Sequence, residues 1–197
     1  MKKSLGLAAI LGVATLLAVP VVGQAAEVQS GDTTTANVTL TQDPDNKVVK
    51  LTHAPNIDFG AQPIGTSSLT LHSQTIDDDL VVENPGLGAG WTVNVSATPF
   101  TDGSKTLADT KFNLAAGSVT PVESNSSAKP NSMEVTLLTS EQPIFVADRN
   151  AGIGAWKTTY ASDQASLNIP AGNVAGSYTS TLTWSLTNAP EAPDDYD

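Results

Sequence analysis

The chain has no cysteine. That excludes disulfide staples, thiol nucleophiles and cysteine-based metal centres, so the fold must be held by its core. Histidine is nearly absent. There are 2, His53 and His72, and neither stands in a nucleophile motif such as Gly-x-Ser-x-Gly. Carboxylates are plentiful, but nothing in the sequence singles out one pair for glycoside cleavage. The expectation is a protein that is not an enzyme and needs no cofactor. Basic residues are few, 9 Lys and Arg against 20 Asp and Glu. Nucleic acid and anionic membrane surfaces would be repelled. Sustained helical periodicity is missing as well, apart from Thr106 to Leu114, which could hold one helical turn.

The ends are easily read. Lys2 and Lys3 precede an apolar, uncharged run from Leu5 to Val22, followed by the small residues of Gly23-Gln24-Ala25-Ala26. This pattern predicts a secretory signal peptide over residues 1–25. Cleavage there leaves 172 of the 197 residues, enough for one domain with a substantial core. Seven basic and twenty acidic residues remain, a net charge of −13. No second long apolar run follows, so no membrane insertion is expected after cleavage. An exported domain without cystine fits a bacterial source, where the Asn-x-Ser/Thr sites at Asn37, Asn94 and Asn125 are incidental.

What is present is strand pattern and turn punctuation. Short alternating runs occur at Ala36-Asn-Val-Thr-Leu40, Lys47-Val-Val-Lys-Leu51 and Ser68-Leu-Thr-Leu71. Others follow at Asp79-Leu-Val-Val-Glu-Asn84, Trp91 to Ala97, Met133 to Leu137 and Ala165 to Ile169. Gly, Pro, Asn and Asp separate them, and Glu123 to Ser132 reads as a mobile polar loop. The fold class expected is all-β, a single antiparallel β-sandwich, Ig-like or barrel-like, with long loops. The expected domain layout is 1–25 signal peptide, 26–44 N-terminal extension or edge strand, 45–190 domain, and 191–197 acidic tail.

The most informative stretch is Tyr178 to Pro190. Tyr178, Leu182, Trp184 and Leu186 share one face, and Thr179, Thr181, Thr183, Ser185 and Thr187 the other. Trp91-Thr-Val93 and Trp184-Ser-Leu186 are similar strand starts about half a domain apart, and the two strands are expected to be neighbours. Tyr-x-x-x-Leu-x-Trp-x-Leu-x-x-x-Pro near a C-terminus resembles the WxL domain of cell-surface proteins from low-GC Gram-positive bacteria. Gly90-Trp91-Thr92-Val93 with Phe100, Ile57-Asp58-Phe59-Gly60, Leu167-Asn-Ile-Pro170 and Gly176-Ser-Tyr178 are similar to that family too. The first motif departs from it, with Val93 where leucine is usual. Valine remains apolar and β-preferring, so a packing role survives.

The resemblance implies a small secreted, cell-surface WxL protein that attaches non-covalently to the cell wall, with peptidoglycan or another cell-wall glycan as ligand. It also implies larger WxL proteins and membrane-anchored surface proteins as partners. Trp91, Val93, Tyr178, Leu182, Trp184 and Leu186 are the motif residues. Their rings either stack on sugar faces or pack the core, and alternation with Val and Leu favours the core. Trp156 and Tyr160, in a glycine-flanked stretch that reads as a loop, form a candidate glycan platform or a loop anchor. Asp77-Asp78-Asp79 with Glu83, and Asp43 with Asp45, lack calcium-loop spacing and read as solvated acidic loops; no metal site is expected. A second function class is open: an assembly subunit that binds a protein partner by strand addition, using Thr33 to Thr41.

Overall fold

The computed structural model describes residues 35–188. The expected signal peptide, Pro190 and the acidic tail lie outside the described residues. A short N-terminal unit ends at Thr39, and a second unit starting at Leu40 carries every described strand.

Among the described residues there is no helix. The strands are β1 (Lys50–His53), β2 (Asn56–Asp58), β3 (Leu69–His72), β4 (Thr75–Asp77), β5 (Leu80–Asn84), β6 (Trp91–Ala97) and β7 (Lys111–Leu114). They continue with β8 (Ser118–Pro121), β9 (Asn131–Ser132), β10 (Val135–Leu137), β11 (Gln142–Ala147), β12 (Gly154–Thr159), β13 (Ala165–Ile169) and β14 (Leu182–Asn188). They form sheets ordered β1-β5-β12-β8, β10-β7-β13-β3 and β14-β6-β11-β9, with β2 and β4 as a separate ribbon. Every described strand ladder is antiparallel and no sheet closes on itself, so the sandwich alternative is the one observed.

β6 and β14 lie side by side, as their shared pattern predicts. Val93 stands opposite Leu186, Trp184 opposite Val95, and Asn188 opposite Trp91. Opposed residues of an antiparallel pair share a face, so both motifs turn the same way, into the core. Trp91, Val93 and Val95 are fully buried, and the Trp91 ring meets Phe145 edge-on at 4.8 Å. The indole N–H of Trp91 donates to the Gly152 carbonyl at 3.1 Å, which satisfies its one polar atom. Leu80 and Val82 of β5, Phe112 and Leu114 of β7, and Ala165 and Leu167 of β13 complete one continuous core. On β11 the register shifts between Pro143 and Phe145, which lets Ile144 and Phe145 both be buried.

Several expectations need correction. Thr106 to Leu114 holds no helical turn: Lys111–Leu114 is strand β7, alternating exposed and buried positions. Glu123 to Ser132 is fixed in place rather than a free loop. Asn125 donates to the Ile153 carbonyl at 2.8 Å, Ala128 bridges Ala151, and Pro130 is fully buried. Ala36 to Leu40 forms no strand, and Val38 and Leu40 are 83% and 89% exposed. The stretch around Trp156 is no loop: Gly154–Thr159 is an interior strand of its sheet, between β5 and β8.

Candidate functional site

Strand β2 leads directly into a turn. The Asp58 carboxylate accepts the Gly60 N–H at 2.9 Å, and Gly60 takes φ 66°, a conformation that glycine adopts without strain. Phe59 packs at this turn in a triad with Phe100 and Phe112. The three ring centroids are 5.4 to 6.4 Å apart and all three contacts are edge-on. The Ile-Asp-Phe-Gly element thus seats an aromatic ring beside β7.

The opposite wall comes from the segment before β14. Asn173 accepts the Ala108 N–H at 2.8 Å and donates to the Pro170 carbonyl at 2.9 Å. The Tyr178 hydroxyl donates to the Val174 carbonyl at 2.9 Å, and its ring lies over Gly176, where a Cβ would come within 3.0 Å of ring carbon. Gly176-Ser-Tyr178 is therefore a clamp that fixes this wall. These segments border an open groove of about 760 Å³, lined also by Leu69 and Leu71 of β3 and by Leu167 and Ile169 of β13. Ile64 and Val174 line it while 46% and 51% exposed. Gln62, Asn173, Ser177, Thr179 and Ser180 add polar groups, and among the described residues Asp58 is the one charged lining residue.

The motif residues divide. Tyr178 and Leu182 line the groove. Trp91 and Val93 are buried, and Trp184 and Leu186 are partly buried against the core. These four build the β6–β14 seam and do not border the groove. Val93, directly opposite Leu186, has no exposed surface, so its role is packing.

The exposed-platform reading of Trp156 and Tyr160 is overturned. Both rings are core residues, 3% and 5% exposed, and the Trp156 indole N–H donates to the Ile153 carbonyl at 2.9 Å. Regular alternation along β12 carries them inward; the flanking glycines disguised it. The Tyr160 hydroxyl is buried without a hydrogen-bond partner. Burial pushes its pKa up from 10.0 to about 12. The raised value favours folding below pH 10, and that contribution is lost as pH rises through about 12. Tyr160→Phe is expected to keep neutral-pH stability and to lose less on moving from about pH 8 to about pH 11, measured by urea midpoints. Equal alkaline loss in both proteins would contradict this.

The acidic clusters are surface features. The Lys157 ammonium sits 2.7 Å from the Asp79 carboxylate. Burial raises the Asp79 pKa, but hydrogen bonding to Lys157 and Thr159 together with the charges of Lys157 and His53 outweighs this and holds it below the ordinary value. Asp43 accepts the Asp45 N–H at 2.9 Å, an Asx turn. Among the described residues no three acidic or histidine side chains gather as a metal site.

Phe59, Phe100, Leu167, Ile169, Tyr178 and Leu182 of the groove come from the segments that carried the family resemblance, and a comparison of the whole chain decides the matter. Residues 31–190 match the WxL domain, described as surface cell wall-binding. The chain belongs to the WxL domain family. It is accordingly a protein of the cell wall and cell surface. WxL domains are binding domains and not a family of enzymes. No curated protein and no solved structure matches the chain. The groove itself escaped sequence reasoning. The available signal was the pairing of Phe59 and Phe100 with Tyr178, residues read as family markers rather than as one surface.

Proposed function

We propose that this WxL domain attaches to the wall directly, by holding a glycan strand of peptidoglycan in the groove between Phe59 and Tyr178. The observation that supports it is the groove's composition. Sugar rings present apolar C–H faces and a rim of hydrogen-bonding groups, which suits aromatic and aliphatic walls edged with hydroxyls and amides. Its volume of about 760 Å³ is that of a ligand cleft. One carboxylate in the lining leaves it nearly neutral, on a chain whose net charge is −11. The buried tryptophans serve this site indirectly, by setting β14 and hence Leu182 and the Tyr178 clamp.

Sedimentation with protein-free sacculi tests the reading. The protein is expected to co-sediment, and binding should strengthen with salt, because anionic wall polymers repel an acidic chain and salt screens that repulsion. Ile64→Asp puts a charge in the groove at a side chain already 46% exposed, so the fold should hold. Its binding is expected to fall about tenfold or more, equivalent to about 1.4 kcal/mol. Full retention by the folded variant would remove the groove from the argument. No binding of the parent protein to stripped sacculi would mean that a protein partner, such as a larger WxL protein or a membrane-anchored one, makes the attachment.

A further inference from the structure

β14 is the signature strand and, among the described residues, also an edge strand. It bonds to β6 on one side, in an unbroken register from Leu182 opposite Ala97 to Asn188 opposite Trp91. β1 comes near β14, but among the described residues β1 bonds to β5 alone. Exposed edges invite further strands, and proteins normally blunt them with charge, proline or a bulge. Leu182 to Asn188 has none of these. Its inward side chains Leu182, Trp184 and Leu186 are only partly buried.

The same chain carries a strand pattern that goes unused. Thr35 to Thr41 reads TANVTLT, and Thr181 to Thr187 reads TLTWSLT. Both alternate apolar and polar side chains, and both are uncharged. Val38 and Leu40 stand 83% and 89% exposed, without strand structure around them. The family match begins at residue 31, so this segment is part of the WxL domain rather than a leader.

Direction selects the occupant. Gln42 is anchored at the end of β5, where its side-chain amide donates to the Pro85 carbonyl at 2.8 Å. The Pro85 to Gly90 turn leads from there into β6 at Trp91, which faces Asn188 at the far end of β14. A segment that reaches Gln42 after running along β14 of its own chain must therefore run parallel to it. Every described ladder is antiparallel, the stronger arrangement per residue. A second copy meets no such constraint.

We propose that residues 35–41 of one copy add antiparallel to the outer edge of β14 in a second copy, reciprocally, giving a strand-exchanged dimer. Strand addition supplies main-chain hydrogen bonds, and Val38 and Leu40 extend the apolar face beside Trp184. The uncharged contact segments let two acidic chains approach, with salt screening the remaining repulsion.

Sedimentation equilibrium of residues 26–197 tests this, with Val38→Asp/Leu40→Asp alongside. Both replaced side chains are exposed, so the fold should persist, as circular dichroism would check. The expected masses are twice the chain mass for the parent and a single chain mass for the variant. Because the chain has no cysteine, Thr39→Cys and Ser185→Cys proteins can be oxidised as a mixture. A disulfide-linked heterodimer lost in the aspartate background is the expected product. A monomeric parent overturns the proposal. So does a dimer that survives Val38→Asp/Leu40→Asp, which would mean that two β14 edges pair with each other.

Discussion

Trp91→Ala is expected to lose about 3–5 kcal/mol of folding stability, a large share of the roughly 5–15 kcal/mol typical of a domain. The residue is 1% exposed, so the change leaves a cavity. It also removes the edge-on contact with Phe145 at 4.8 Å and strands the Gly152 carbonyl that the indole N–H had satisfied. Trp184→Ala should cost less, because that ring is only partly buried and its strand stands at the sheet edge. Urea titration of the two variants measures the difference. A Trp91→Ala loss below about 1 kcal/mol, or a larger loss at Trp184, would contradict the placement of the two motifs. The same result bears on function: a wall-binding defect in an unfolded Trp91 variant carries no information about contact with glycan.

Gly152→Val is expected to approach that cost from an unrelated part of the sequence. Gly152 has φ 62°, where a β-branched residue is strained by roughly 1–2 kcal/mol. A Cβ there would sit 2.6 Å from the Ala147 Cβ and 2.8 Å from the Trp91 indole nitrogen. Overpacking of that kind costs about 1–3 kcal/mol more. The loss should therefore be roughly 2–5 kcal/mol. It should be non-additive with Trp91→Ala, because removing the ring opens the space the new side chain needs. A double-mutant cycle showing simple additivity would sink the coupling.

The strands that sequence reading placed well are those whose pattern is local. β6 and β13 have the bounds that alternation predicts, and β14 covers the core of the Tyr178 to Thr187 run. Their apolar and polar residues alternate without interruption, so local preference and tertiary burial agree. β12 was misread because Gly152 and Gly154 look like punctuation, while neighbours on both sides, β5 and β8, hold Gly154–Thr159 extended. β11 was passed over because Pro143 and a register shift break the period of two. In Lys111–Leu114 four residues suit a turn of helix or a short strand equally well, and pairing with β10 and β13 decided it.

The sequence by itself determined the class of this protein. Zero cysteine, an acidic composition and alternation with period two are local or compositional properties, and they suffice for an exported all-β domain, while the WxL family was legible from the resemblance of the two tryptophan motifs. Tertiary structure decided which aromatics are buried and which line a surface. Trp156 and Tyr160 went into the core, whereas Phe59, Phe100, Tyr178 and Leu182 came together around one groove. Chain position cannot show this, because Phe59 and Tyr178 are brought to one groove by strands that pair across roughly half the chain. Such convergence exists only once the sheets have packed.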